Sequence, residues 1–254
     1  FYRDFPKPHC WPPPTDAGSI QSLIDYAKER DPRGDKIHIV FGCLFMACLP
    51  LATAPASISM AALVILFLLR LPVVWRTVTP VFTSKAYLAM LAWASWSTLS
   101  ILWSSDQTLG LDHASSMWLM ALPAPVFLWP VIDRWKWLIG AFLFGVAIQN
   151  CLQLSEVIVS WFNGGIDWIT GEELFRPSGL TKHQGVGAIF IASAFFLWLY
   201  LLHLPKLRKI KLLLFVLSIN GIILSASRSV WIGTLAGLVV YTASLAITKH
   251  ITRK

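Results

Sequence analysis

The chain has 254 residues, of which 56% are Ala, Val, Ile, Leu, Met, Phe, Trp, Tyr or Cys and only 13% are charged. With a mean hydropathy of +0.63, it lies far from a water-soluble domain, in which roughly a quarter of residues are charged. The formal net charge of +8 comes with 13 Trp and 15 Phe, but this apolar content excludes a solvent-facing basic domain that binds nucleic acid. The class that fits is an all-α, polytopic transmembrane helical bundle embedded in membrane lipid.

Residues 1–36 form a separate segment, expected to be a cytoplasmic tail. Phe5 to Pro14 is too rich in proline for a helix or a central strand. Asp16 to Arg30 has the pattern of a short amphipathic, interfacial helix, with Ile20, Leu23, Ile24 and Ala27 on one side. Asp31-Pro32-Arg33-Gly34-Asp35 ends it. No apolar stretch in this segment resembles a cleavable signal peptide.

From Ile37 onward, apolar runs alternate with polar breaks. A bilayer core about 30 Å thick needs about 20 helical residues. Hydropathy places spans near 37–53, 56–75, 86–103, 113–131, 137–160, 184–203, 211–226 and 229–248, making residues 37–248 an eight-span bundle. If residues 1–36 lie inside, the inner segments carry 18 of the 21 basic residues, including the basic tail 249–254. Positive charge stays cytoplasmic, so both termini are expected there. The outer segments keep only Arg176, Lys182 and Arg228.

These three cations are therefore the polar residues to explain. Arg176 and Lys182 fall in the longest outer loop, about 162–183, and Arg228 in the short turn Ser225-Ala226-Ser227-Arg228-Ser229. An arginine at that depth either snorkels to the headgroups or offers its planar fork to a phosphate. The fifth span carries Gln149, Asn150, Gln153 and Glu156, with 149, 153 and 156 on one helical face. Such a stripe either locks helices together or lines a site. Glu156 is expected to face the interior and to pair with Arg176 or Arg228.

Other features point to structure more than to chemistry. Gly233 and Gly237 have the GxxxG spacing of close helix packing. Asp112-His113 reads as a helix cap and its neighbour, and His183 as an interfacial histidine. Cys10, Cys43, Cys48 and Cys151 form neither a CxxC pair nor a zinc pattern. Signatures of soluble enzymes such as HExxH, GxSxG or a P-loop are lacking. Neither a metal nor a cofactor is expected, and the residues alone identify no catalytic group.

Three stretches give a more specific indication. They are Leu99-Ser-Ile-Leu-Trp-Ser-Ser-Asp106 closing a span, Phe175-Arg-Pro-Ser-Gly-Leu-Thr-Lys-His-Gln-Gly-Val-Gly187 leading into one, and Leu224-Ser-Ala-Ser-Arg-Ser-Val-Trp231 opening another. In order, spacing and expected outer placement they resemble the bacterial O-antigen ligase / O-antigen polymerase superfamily. The resemblance covers roughly residues 37–248.

It implies a membrane glycosyltransferase of lipopolysaccharide or polysaccharide biosynthesis, multi-pass in the bacterial inner membrane, with its active face periplasmic. The donor would be a glycan on undecaprenyl diphosphate and the acceptor a hydroxyl of a lipid or another glycan. Arg176 and Arg228 match the family's arginine positions, so diphosphate binding carries over to them; Lys182 assists without a motif match. The family's large periplasmic loop with an acceptor-activating histidine has no counterpart before Lys254, and His183-Gln184 stands where many relatives have Pro-Asn. With Phe1 in place of an initiating Met, this departure implies a partial chain, active only if the complete one supplies that loop. Ligase and polymerase are not separated by these motifs. A transporter is the alternative of a different class, although Glu156 alone among ionisable residues lies deep in a span and no internal repeat is evident.

Overall fold

The structure, a computed structural model, describes residues 20–104, 107–116, 118–119, 122–162, 184–202, 208–225 and 228–251. Among the described residues the regular structure is entirely helical. In chain order it comprises α1 (Ile20–Arg30), α2 (Pro32–Cys48), α3 (Thr53–Thr83), α4 (Lys85–Ser100), a 3₁₀ turn at Ile101–Trp103, α5 (Gln107–Ser116), α6 (Pro123–Leu128), a 3₁₀ segment at Trp129–Arg134, α7 (Trp135–Phe162), α8 (Gln184–Leu201), α9 (Arg208–Leu224) and α10 (Arg228–Ile251). Four described stretches, Ala54–Thr83, Lys85–Trp103, Pro123–Phe162 and Ser229–Ala246, are long and apolar enough to cross a membrane. Leu69, Leu102 and Phe162 expose 75%, 70% and 82% of their surface. Exposure of this kind suits lipid and would drive aggregation in water, so the coarse architecture is that of a helical membrane protein.

The chain divides into two compact units. The first comprises residues 1–42 and 60–135, and the second residues 43–59 and 136–254.

In the first unit, Phe67, Val74, Val78 and Val81 repeat at helical spacing along α3 and bury against Tyr87 and Val126. At 31 residues, α3 is about 46 Å long at 1.5 Å per residue, longer than a bilayer core is thick. It runs unbroken through Pro72 and Pro80 to Thr83, where hydropathy places a span ending at 75 and a polar segment after it. Along its second half, Thr77 and Thr83 give their hydroxyls to the carbonyls of Val74 and Pro80, in the manner by which apolar helices tolerate proline. Arg70 is buried within this helix at 5% exposure. The stretch expected as one span over 113–131 is shared between the end of α5, α6 and the 3₁₀ segment. Pro123, Pro125 and Pro130 each lack the backbone N–H a continuous helix uses, and Val131 leaves helical geometry at φ −118°, ψ 18°.

The expected amphipathic helix forms as α1, with Ile24 and Ala27 buried. Asp31-Pro32 ends it and in the same step starts α2. The Asp31 N–H donates to the Ala27 carbonyl, while its side chain accepts from the Gly34 N–H at 2.9 Å. Asp31 thus caps α2, with Pro32 at the first helical position, where its missing N–H costs nothing.

The second unit has its core in Phe142, Leu143, Val146, Ala188, Ile191, Ala194, Phe195, Ile222 and Val230, drawn from α7, α8, α9 and α10. Two glycines set the helix approaches. A Cβ on Gly145 would collide with the backbone carbonyl of Ala47, and one on Gly221 with the side-chain oxygen of Asn150. The GxxxG pair divides: Gly237 meets the Phe196 ring, whereas Gly233 faces open space. The expected close packing is thus limited to one of the two glycines.

Candidate functional site

Within the second unit, α7 turns one face inward through Leu138, Phe142, Leu143, Gly145, Val146, Gln149, Asn150 and Gln153. The first two turns of this face are apolar and the next ones carry carboxamides. Gln149 and Gln153 are fully buried and Asn150 is 5% exposed. Across from them, α9 contributes buried Ser218, whose hydroxyl donates back to the Leu214 carbonyl at 2.9 Å, and Gly221, whose missing side chain admits Asn150. The Asn150 side-chain oxygen has no hydrogen-bond partner among the described residues. A buried carboxamide costs free energy unless its groups are satisfied, so this face is kept for more than apolar packing.

The expected stripe therefore exists, with Gln149 and Gln153 at its buried centre. Glu156, two turns beyond Gln149, is half-buried. Its expected partners, Arg176 and the side chain of Arg228, lie outside the described residues, and so does Lys182. The same holds for His183 and for the side chains of Asp112 and His113. Past Glu156 the end of α7 is apolar apart from Ser160. Val157, Ile158, Trp161 and Phe162 line an open hollow of about 250 Å³.

Arg228 itself has a well-defined backbone place as the first residue of α10, after α9 ends at Leu224. A single carbonyl sets this junction. The Ile222 oxygen accepts from the Ser225 hydroxyl at 2.7 Å and from the Trp231 indole N–H at 2.8 Å. Ser225 is 1% exposed, and Val230 of α10 is also buried. Because the end of a helix leaves its last carbonyls without intrahelical partners, the Ser225 hydroxyl satisfies this one locally while the Trp231 indole pins the last turn of α9 to the first turn of α10. Neither Ser225 nor Trp231 stands out by residue type, and both became visible only as members of the quoted motif.

Of the other two motifs, the first closes α4 and the following 3₁₀ turn, where Trp103 stands edge-on to Trp96 with ring centroids 6.0 Å apart; Asp106 lies outside the described residues. The second enters α8 at Gln184, and its final residue, Gly187, is buried together with the adjacent Ala188. Small residues there let the start of α8 pack closely.

A second polar cluster, in the first unit, escaped the sequence reading. Asp31, Asp35 and His38 repeat at i, i+4 and i+7 and so share one face. Asp31 pairs with the Arg70 Nε at 2.7 Å, Asp35 with Arg134, and Lys28 with Asp133 at 2.7 Å. That spacing, together with an arginine set in the apolar run of α3, was the available signal. Among the described residues no group of His, Cys, Asp and Glu is arranged to hold a metal ion.

Comparison with protein-family models, curated proteins and solved structures finds no match to this chain.

Proposed function

We propose that this chain is the donor-binding region of an O-antigen ligase-like membrane glycosyltransferase, in which Arg228 receives the diphosphate of a polyprenyl-linked glycan. The observation that carries this reading is the clamped α9–α10 junction. Ser225 and Trp231, both within the family-like motif Leu224–Trp231, fix the start of α10 through the Ile222 carbonyl. Arg228 thereby opens a helix, and the N-terminal end of a helix favours anions. The guanidinium adds a permanent charge and a bidentate fork.

In glycosyl transfer from a diphosphate carrier, negative charge grows on the leaving oxygen as the bond to the sugar breaks. A preorganised arginine stabilises that charge most at the moment it develops. Arg176 and Lys182, close in sequence to the start of α8, would supply the remaining positive charge. The buried carboxamides of Gln149 and Gln153 suit a polar group held away from water, and the apolar hollow at Val157, Ile158, Trp161 and Phe162 suits a lipid chain. The site would face the periplasm of a bacterial inner membrane, with a lipid or glycan hydroxyl as acceptor.

Binding of undecaprenyl diphosphate to the purified chain in phosphatidylcholine nanodiscs tests this. Saturable binding that falls at least about tenfold in Arg228→Ala, the loss expected for one charge-assisted contact of about 1.5–3 kcal/mol, supports the proposal. Equal binding by both proteins, or none by either, defeats it.

A further inference from the structure

We propose that His38 is the trigger of a pH-sensitive latch that holds α1 and the start of α2 against α3, α6 and the 3₁₀ segment. The ring is fully buried, and both of its nitrogens are engaged. Arg70 Nη1 lies 3.0 Å from Nδ1 and the Phe127 carbonyl oxygen lies 2.6 Å from Nε2. A guanidinium can only donate. Nδ1 must therefore be the acceptor, and Nε2 carries the proton that goes to Phe127. The kink at Val131 explains why that carbonyl is open: in a regular helix Phe127 would receive the N–H of residue 131.

Every charged group around the ring is already committed. Arg70, on α3, also donates through Nε to Asp31 at 2.7 Å. The other Asp31 oxygen accepts the Gly34 N–H. Asp35, on the same face of α2 as His38, is buried and paired with Arg134 of the 3₁₀ segment. Lys28 of α1 pairs with Asp133 of that segment. Lys28 also lies 3.5 Å from Asp25 of its own helix, and the contact that requires an uncharged imidazole is the one between Arg70 and Nδ1.

A second proton on His38 has one place to go, Nδ1, and there it removes the acceptor for Arg70. Two donors and two positive charges then face one another in a buried space, and the contact cannot persist. Below about pH 6.5, the ordinary imidazole value, the released segment binds a proton that the latched one excludes. Each further pH unit then favours release by up to about tenfold.

The test is amide hydrogen exchange of residues 20–38 in the full chain, in phosphatidylcholine nanodiscs from pH 8 to pH 5, corrected for intrinsic rates. The latch predicts protection at pH 8 that falls by up to tenfold per unit below about pH 6.5. In His38→Gln, whose carboxamide accepts from Arg70 and donates to Phe127 without titrating, protection should stay level. Equal slopes in the two proteins would overturn the proposal. If His38→Gln is unprotected already at pH 8, ¹⁵N spectra of histidine-labelled wild-type chain decide. An Nε2–H imidazole at pH 8 that gains its second proton in step with exchange supports the latch; an Nδ1–H imidazole, or protonation without a change in exchange, contradicts it.

Discussion

The indole N–H of Trp231 donates to the Ile222 carbonyl at 2.8 Å, joining the first turn of α10 to the last turn of α9. The Ser225 hydroxyl reaches the same oxygen from within the turn. The backbone at Arg228 is therefore placed by its neighbours, and its positioning can be loosened without touching the arginine.

Trp231→Phe keeps the ring and removes only the donor. It should cost about 1 kcal/mol of stability, the usual net worth of a neutral hydrogen bond, and weaken undecaprenyl diphosphate binding several-fold. The double variant with Ser225→Ala should weaken it further. Thermal unfolding together with a binding isotherm measures both effects, and binding that is unchanged in the double variant would detach the clamp from the site.

Gly145 and Gly140 lie on the same helix in different surroundings. Gly145 approaches the Ala47 carbonyl too closely for any side chain, whereas a Cβ at Gly140 meets nothing within 4 Å. Gly145→Ala should lower the unfolding temperature by an amount matching an overpacking cost of about 1–3 kcal/mol. Gly140→Ala should leave it unchanged or raise it, since alanine is the better helix former by about 0.5–1 kcal/mol.

Arg70 is 5% exposed and holds both Asp31 and His38. Arg70→Met removes the charge and leaves the Asp31 carboxylate without its counter-ion; since the Asp31 side chain is 28% exposed, the cost should fall below the roughly 3–5 kcal/mol of a fully buried pair. Combining it with Asp31→Asn should recover part of the loss. Unfolding temperatures of the two single variants and the double variant measure this coupling.

Lys28 predicts behaviour at high pH. Burial works against its charge, but the hydrogen bond and charge of Asp133, with help from Asp25, prevail and raise its pKa above the ordinary 10.5. A lysine with a raised pKa contributes its full stabilisation below the ordinary value and loses it as pH climbs through the raised one. Stability of the wild-type chain should therefore decline above about pH 10.5 more steeply than that of Lys28→Met, as followed by helical circular dichroism.

The helical class was legible in composition and hydropathy because lipid imposes a pattern that few other environments produce. The carboxamide face of α7 was legible for a similar reason, since Gln149 and Gln153 are conspicuous in an apolar run. The continuity of α3 was not legible: Arg76 and Pro80 resemble a break, and the helix survives them because a helix may extend beyond the bilayer core. The division of residues 113–131 was hidden because Pro123, Pro125 and Pro130 interrupt the backbone without lowering hydropathy. His38 was hidden for a different reason, because its partners Arg70 and Phe127 are brought to it only by the fold. The junction at Ile222 depends on a carbonyl, which no residue type announces.

The proposed role of Arg228 in glycan transfer can be examined in cells. The most direct measurement is transfer of a polyprenyl-diphosphate-linked glycan to its acceptor in cells whose only copy of the gene carries Arg228→Ala, with the amount of protein in the membrane measured alongside. With Arg228 as the diphosphate-binding group, transfer should be lost while membrane insertion stays at the wild-type level. Transfer that continues at the wild-type rate would contradict it and return Arg228 to the role of a headgroup anchor.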